Sequence, residues 1–220
     1  KPRIEKLVLK DAKLRTFIAD ASHRDELVAH VYDTTFEVIQ KDRDSLVIID
    51  DSIVRGTTLE KSILTLLDNL NPKKIVIISS APQIRFPDCY GIDMSKMKDF
   101  VAFRAVLALL IDEGKEYLLE DVLEKCLAVR DKVNEVNYVK ELYAPFSYDQ
   151  VSQKIGEIVK PKKMKAVLEV VFQTVEGLHK ACPDHLGDWY FTGDYPTKGG
   201  NSVVNMAFIN FMKGVEVRAY

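Results

Sequence analysis

The sequence predicts an α/β protein built on a parallel sheet, followed by a largely helical carboxyl-terminal region. Three observations predict it. Leu46-Val-Ile-Ile49 and Ile75-Val-Ile-Ile78 are unbroken, mostly β-branched apolar runs, the pattern of strands covered on both faces. Between them Leu59, Ile63, Leu64, Leu66, Leu67 and Leu70 recur at helical spacing until Asn71-Pro72 stops the helix. From about Val101 onward, the apolar positions of 101–110, 117–130 and 164–179 fall three and four residues apart, so each segment reads as a helix.

In chain order, residues 1–20 are polar and basic, with Lys1, Arg3, Lys6, Lys10, Lys13 and Arg15. A short strand is expected at 7–9, then a cationic loop, then extended chain at 16–19. Lys41-Asp-Arg-Asp44 is a polar turn ahead of the first buried strand. Strand, loop, helix, turn and second strand then make one βαβ unit, whose crossover is right-handed. Tyr143-Ala-Pro-Phe-Ser147 and Val159-Lys-Pro-Lys-Lys163 interrupt the later helices. The tail carries Thr-Lys-Gly-Gly at 197–200 and apolar residues from Val203 to Met212. Three regions are expected: an α/β portion over 1–100, a helical insertion over 101–146, and a helical region with its tail over 147–220.

The chain has 220 residues, 47% hydrophobic and 29% charged, which argues against disorder and for a packed core. Its net charge is −2, so nucleic acid is not an expected partner. Cys89, Cys126 and Cys182 are scattered and odd in number, which fits a reducing, cytoplasmic setting better than a disulfide scaffold. The apolar runs are too short to span a bilayer, so no membrane partner is expected. Lys1 opens the sequence without Met or a signal-like segment, and the chain is expected to begin inside a longer protein.

The segment rich in chemistry is Asp50-Asp-Ser-Ile-Val-Arg-Gly-Thr-Thr58. Two carboxylates stand where a buried parallel strand ends, at the edge where loops converge on a ligand crevice. The following loop reaches a helix start at Gly56-Thr57-Thr58. Backbone N–H groups there can bind an anion, glycine permits close approach, and the hydroxyls can donate further hydrogen bonds. The pair suits sugar hydroxyls or a divalent cation, and the loop suits a phosphate. Together they fit a phosphorylated sugar better than phosphate or metal alone. An isolated Asp-Asp would read as a solvated strand end and Thr-Thr as a helix cap; the strand before and Arg-Gly-Thr-Thr after make that the weaker reading.

Val47-Ile-Ile-Asp-Asp-Ser-Ile-Val-Arg-Gly-Thr-Thr58 resembles the phosphoribosylpyrophosphate (PRPP) signature of type I phosphoribosyltransferases, and most closely that of the amidophosphoribosyltransferase family. Leu14-Arg-Thr-Phe-Ile18 resembles that family's flexible loop. Ser79-Ser-Ala-Pro-Gln-Ile-Arg-Phe-Pro-Asp-Cys-Tyr-Gly-Ile-Asp93 and Phe191-Thr-Gly-Asp-Tyr-Pro-Thr197 resemble two further segments, and 147–155 and 174–178 its penultimate helices. The resemblance implies a partial type I phosphoribosyltransferase-like sheet, and transfer of ammonia, drawn from glutamine, to C1 of PRPP in purine biosynthesis. It implies that Asp50 and Asp51 hold the ribose 2′- and 3′-hydroxyls and Mg²⁺. Ser52, Ile53, Val54, Arg55, Gly56, Thr57 and Thr58 would wrap the 5′-phosphate. Lys10, Lys13 and Arg15 would face the pyrophosphate, with Lys10 and Arg15 counted among the catalytic groups. Purine nucleotides as feedback inhibitors and a homo-oligomer also follow from the family.

The sequence departs from the family in several places. Some members hold an iron–sulfur cluster on four cysteines; here the corresponding positions read Asp88, Gly187 and Tyr190, with Cys89 one residue late, so no cluster is expected. Nothing matches the family's glutaminase domain or its Pro-Asp-Ser-Gly pyrophosphate loop. The chain is therefore expected to be a carboxyl-terminal portion that does not hydrolyse glutamine. The alternative is a catalytically silent phosphoribosyltransferase-like module that binds PRPP or a nucleotide. His179, Cys182, Asp184 and His185 read as an ordinary helix end rather than a zinc site, because Pro183 breaks the segment. Arg85 follows a strand end and is expected at the surface, ahead of a role in gripping a nucleotide or carboxylate.

Overall fold

Among the described residues, backbone pairing defines two sheets. The computed structural model describes residues 3–4, 8–10, 32–34, 39–57, 59–89, 94–130, 136–185 and 187–219. Strands β1 (Val8–Lys10) and β2 (Tyr32–Thr34) pair antiparallel, with Leu9 opposite Asp33. Strands β3 (Ser45–Asp50), β4 (Lys74–Ser79) and β5 (Val167–Phe172) form the second sheet in that order, so β4 is central. Beside their first residues, Lys73 N–H donates to Asp44 O (2.9 Å) and Val167 N–H to Lys73 O (3.3 Å). Beside their last residues, Ser80 N–H donates to Asp50 O (2.9 Å) and Gln173 N–H to Ser79 O (3.0 Å). Starts lie beside starts and ends beside ends, so both pairings are parallel, that of β3 with β4 as the apolar runs predict.

Two expectations need correction. Residues 164–179 are not one helix: Val167–Phe172 is a strand. Val170 and Phe172 are buried while Val167 and Val171 are exposed, a two-residue period. Val167, Val170 and Val171 also satisfy helical spacing, but their β-branched side chains and the open edge of β4 decide for the sheet. The helix starts only after Thr174, whose hydroxyl accepts the Gly177 N–H (2.9 Å) as a cap. Strand β3 also departs from two-sided cover. Leu46 is 7% exposed, but Val47 and Ile49 on the opposite face are 60% and 73% exposed. The described residues cover one face of it.

The chain divides into two compact units: Lys1–Ile48, Gly56–Ile77 and Val159–Glu169 in one, Ile49–Arg55, Ile78–Ile158 and Val170–Tyr220 in the other. In the first, a π-helical turn (Leu59–Ile63) runs into helix α1 (Leu64–Asp68). Leu59, Leu64, Leu67, Leu70, Ile75 and Ile77 are among its buried apolar residues. Asn71 has φ +52° at the turn after α1 and accepts the Asp42 N–H at 2.8 Å. The Asp68 carboxylate takes the N–H groups of Lys165 (3.0 Å) and Ala166 (2.9 Å), tying the approach to β5 to the end of α1.

The second unit is mostly helical: α2 (Val101–Asp112), α3 (Tyr117–Ala128), α4 (Lys140–Tyr143), α5 (Tyr148–Val159), α6 (Val175–Ala181), α7 (Trp189–Thr192) and α8 (Lys198–Met212). Its core centres on Phe103, whose ring meets Phe208 at 6.2 Å and Phe211 at 4.9 Å, both nearly perpendicular. The buried rings of Phe103 and Phe208 each contribute about 1.5–3 kcal/mol by leaving water. Helix α3 packs on α8 through Val122 and Cys126. Burial pushes the Cys126 thiol up to about 12, which leaves it inert. Asn205, 1% exposed, has both ends satisfied: its Nδ2 donates to Val136 O (3.0 Å) and its Oδ1 accepts Tyr138 N–H (3.1 Å). Among the described residues no helix is long and apolar enough to cross a membrane.

The stretch 191–197 is a structural clamp. Gly193 ends α7 at φ +76°, its N–H reaching Trp189 O (2.9 Å) and its carbonyl accepting from Asn137 Nδ2 (3.1 Å). The Tyr195 hydroxyl donates to Pro87 O. Thr197 caps α8, accepting the Gly200 N–H at 3.2 Å. A Cβ on Gly193 would stand 2.7 Å from Asn137 Nδ2 and 2.9 Å from the Phe86 ring, whereas one on Gly214 (φ +66°) would meet nothing within 4 Å. Gly193→Ala is therefore expected to cost about 2–4 kcal/mol, left-handed strain plus overpacking, and Gly214→Ala only about 1–2 kcal/mol. Urea unfolding of the two variants checks this; equal losses would contradict it.

Candidate functional site

The acidic pair sits where β3 runs out. Asp50 is the last residue of the strand and Asp51 the first beyond it. The Asp51 N–H turns back onto Asp50 Oδ1 (3.0 Å), and the Ser52 hydroxyl donates to Asp51 Oδ1 (3.3 Å). Both backbone carbonyls are held by the residues after β4. Ser80 N–H donates to Asp50 O and Ala81 N–H to Asp51 O, each at 2.9 Å. The Ser80 hydroxyl lies 3.1 Å from Asp50 O and 3.2 Å from Asp51 O. Partial burial raises the Asp50 carboxyl above its ordinary value; the Asp51 N–H pulls it back, and the neighbouring Asp51 charge pushes it up again. Asp51 is exposed.

The loop then turns inward. Ile53 is 3% exposed, so its side chain belongs to the core and only its backbone can serve a ligand. The Val54 carbonyl accepts the Val101 N–H (2.8 Å), and the Arg55 carbonyl accepts from Arg104 Nη2 (2.5 Å). The Arg55 guanidinium lies 3.4 Å from Asp99 Oδ2. Thus the start of α2, in a stretch given no role from sequence, fixes the backbone of this loop. Gly56 has φ +71°, a conformation glycine adopts without strain; its carbonyl accepts the Glu60 N–H (3.0 Å), opening the helix that follows. Thr57 is exposed.

Asp50, Asp51 and Ser52 therefore stand together, with Val54, Arg55 and Gly56 following along one loop. Lys10 ends β1; its side chain, together with Lys13, Arg15 and Thr58, lies outside the described residues. Ser80 and Arg104 escaped notice in the sequence. A serine directly after the second apolar run was a usable signal, because parallel pairing places the residues after two neighbouring strands side by side. Arg104, 49 residues from its acceptor, left none.

Arg85 is not the surface residue expected. Its guanidinium lies 5.1 Å from both the Tyr143 and the Tyr148 ring centroids. Its Nε and Nη2 donate to Gln83 Oε1 at 3.0 and 2.7 Å. Burial pulls it below its usual range, with the two tyrosines opposing. An arginine so enclosed is a packing element.

Among the described residues no three His, Cys, Asp or Glu side chains gather around a common point; His179 faces Asp188 instead, at 3.2 Å. The acidic pair still fits Mg²⁺. That ion takes hard oxygen donors, and one or two carboxylates with substrate oxygens and water suffice. Each of the two carboxylates commits one oxygen to a neighbouring donor and has the other to offer.

No family model matches the chain. It is 34% identical to the amidophosphoribosyltransferase of Pasteurella multocida over 137 residues, covering 57% of this chain and 27% of that protein. With the Lachancea kluyveri amidophosphoribosyltransferase the identity is 33% over 137 residues, 57% of this chain and 26% of the other. With that of Escherichia coli it is 45% over 58 residues, 26% and 11%. A solved structure of glutamine PRPP amidotransferase from B. subtilis, complexed with ADP and GMP, superposes over 88% of this chain and 32% of that one, at 24% identity and a TM-score of 0.48. The chain spans about a quarter, or less, of the length of the curated relatives it matches. Over part of its length, this chain is homologous to the amidophosphoribosyltransferases.

Proposed function

We propose that this chain supplies the ribose-phosphate-binding part of an amidophosphoribosyltransferase. In that reaction ammonia, released from glutamine, attacks C1 of PRPP. The C1–O bond to pyrophosphate breaks, pyrophosphate leaves with the electron pair, and the new amine sheds a proton to give 5-phosphoribosylamine for purine synthesis. The observation that supports this best is the acidic pair at the end of a parallel strand, followed within one loop by Arg55 and the left-handed Gly56.

Asp50 and Asp51 would orient the ribose through its 2′- and 3′-hydroxyls and offset the positive charge that grows on the ring as C1–O lengthens. The backbone at Gly56 and the hydroxyls of Thr57 and Thr58 would receive the 5′-phosphate. Ser52, Val54 and Arg55 shape the approach, and Ile53 pins the loop to the core. Lys10 and Arg15 would counter the pyrophosphate and exclude water from it. When bound at the acidic pair, Mg²⁺ would neutralise charge on the diphosphate. A second reading, a catalytically silent PRPP- or nucleotide-binding module, draws on the Arg55–Asp99 ion pair, which engages that arginine before any phosphate arrives.

Titration of the protein with Mg²⁺-PRPP tests both. Asp51→Asn should weaken binding about 10- to 100-fold, the loss of a charge-assisted contact; an unchanged Kd contradicts both readings. Turnover of PRPP with free ammonia separates them, since the silent module binds without turnover. Asp50→Asn should also weaken binding, yet leave the ligand-free protein as stable as wild type or slightly more so near neutral pH. The sign follows from burial. The folded-state Asp50 carboxyl is raised above its unfolded value, so its ionised form costs stability above that folded pKa. The cost vanishes as pH falls below the unfolded value. Thermal melts of the two proteins from neutral to acid should converge; a variant clearly less stable at neutral pH would contradict this.

A further inference from the structure

We infer that Ser80 is a positioning residue for the acidic pair, held in register by a hydrogen-bonded network of the buried Gln83 with Arg85 and Tyr148. The inference rests on the proposed function only for its consequence, not for its geometry. An aspartate at a strand end has no ladder partner to fix its peptide plane, and its carboxylate points where the backbone allows. Here the residues after β4 hold the end of β3 as it leaves the ladder, because Ser80 and Ala81 donate their N–H groups to the carbonyls of Asp50 and Asp51. The Ser80 hydroxyl spans the same two oxygens at 3.1 and 3.2 Å, so its single proton is shared between them. With both carbonyls fixed, the peptide planes on either side of Asp51 are fixed too, and with them the directions in which the two carboxylates leave the chain.

The clamp needs its own anchor, because residues 80–86 form neither strand nor helix. Gln83 provides it. Its side chain, 1% exposed, donates through Nε2 to Tyr148 O (2.9 Å) and Ser152 Oγ (2.7 Å). Its Oε1 accepts both donors of Arg85, and its N–H reaches the Tyr148 hydroxyl at 3.0 Å. That hydroxyl donates in turn to Gln173 O (2.7 Å), and the Tyr143 hydroxyl donates to Arg85 O (3.0 Å). Every polar atom of the Gln83 side chain is engaged, and the arginine lies between two aromatic rings. A network centred on a buried side chain whose polar atoms are all engaged is rigid. It places the loop, the loop places Ser80, and Ser80 places the carboxylates. A serine that only ended the sheet would need no such support from helix α5.

Ser80→Ala and Ser80→Thr in the 220-residue chain test this, with two readouts. The first is hydrogen exchange at the amides of residues 80 and 81, which needs no ligand. Exchange should quicken about tenfold in Ser80→Ala, the worth of one hydrogen bond, and stay at the wild-type rate in Ser80→Thr, which keeps the hydroxyl. The second is the Kd for Mg²⁺-PRPP, expected to rise about tenfold in Ser80→Ala and to recover in Ser80→Thr while melting temperatures hold. Unchanged exchange in Ser80→Ala overturns the clamp, as does a threonine that fails to restore it. Should wild type itself fail to bind Mg²⁺-PRPP, the functional reading falls, and the exchange result still decides the clamp.

Discussion

The parallel pairing of β3 with β4 is the constraint from which the candidate site follows. Parallel strands end at the same level, so whatever succeeds each strand is brought side by side without further design. The last residue of β3 and the first beyond it are aspartates; the first two residues beyond β4 are Ser80 and Ala81. Where the chain leaves the ladder, two carbonyls are fixed by two N–H groups and a hydroxyl. The loop past Asp51 can then leave the sheet at a set angle, bury Ile53, and deliver Gly56 to the start of the next helix. An antiparallel partner would have put the start of its neighbour there, and the acidic pair would face a different set of groups.

The segments that resemble the amidophosphoribosyltransferases do different physical work. The stretch 50–57 presents polar groups outward and carries chemistry. The stretch 191–197 does mainly structural work, its exposed Asp194 paired with Lys140. Gly193 supplies a left-handed turn, Tyr195 reaches a carbonyl more than a hundred residues away, Thr197 caps α8, and Gly200 makes room for the Tyr195 ring. Its pattern of residues is explained by sterics and capping alone. The stretch from Ser79 mixes both kinds: Ser80 holds the acidic pair, while Gln83, Arg85 and Phe86 are sunk in the second unit.

How much of this was legible follows from what sequence encodes locally. The two apolar runs, the helix between them and the punctuation at Asn71-Pro72 gave β3, β4 and α1, because each is fixed by its own residues. The acidic pair and the glycine after it were legible for the same reason. Strand β5 was not: valines at 167, 170 and 171 satisfy helical and strand spacing alike, and only the vacant edge of β4 chooses. Arg85 was misplaced because a charged residue in a loop gives no sign that two tyrosines, 58 and 63 positions later, will enclose it. The exposed Val47 and Ile49 show the opposite limit. Their sequence encodes cover on both faces, and the described residues supply it on one.

The loop that carries the candidate phosphate site is short, yet its shape comes from far along the chain. The Val54 and Arg55 carbonyls are taken by Val101 and Arg104, and the Arg55 side chain is met by Asp99. Those residues open α2, whose buried face packs Phe103 against Phe208 and Phe211 of α8. Moving α2 would therefore first release the two carbonyls that set the direction of the loop, before it disturbed any group that meets a ligand. The region read from sequence as an insertion without a role is in this sense the support of the site. Its contribution is backbone geometry, and that is why no motif announces it.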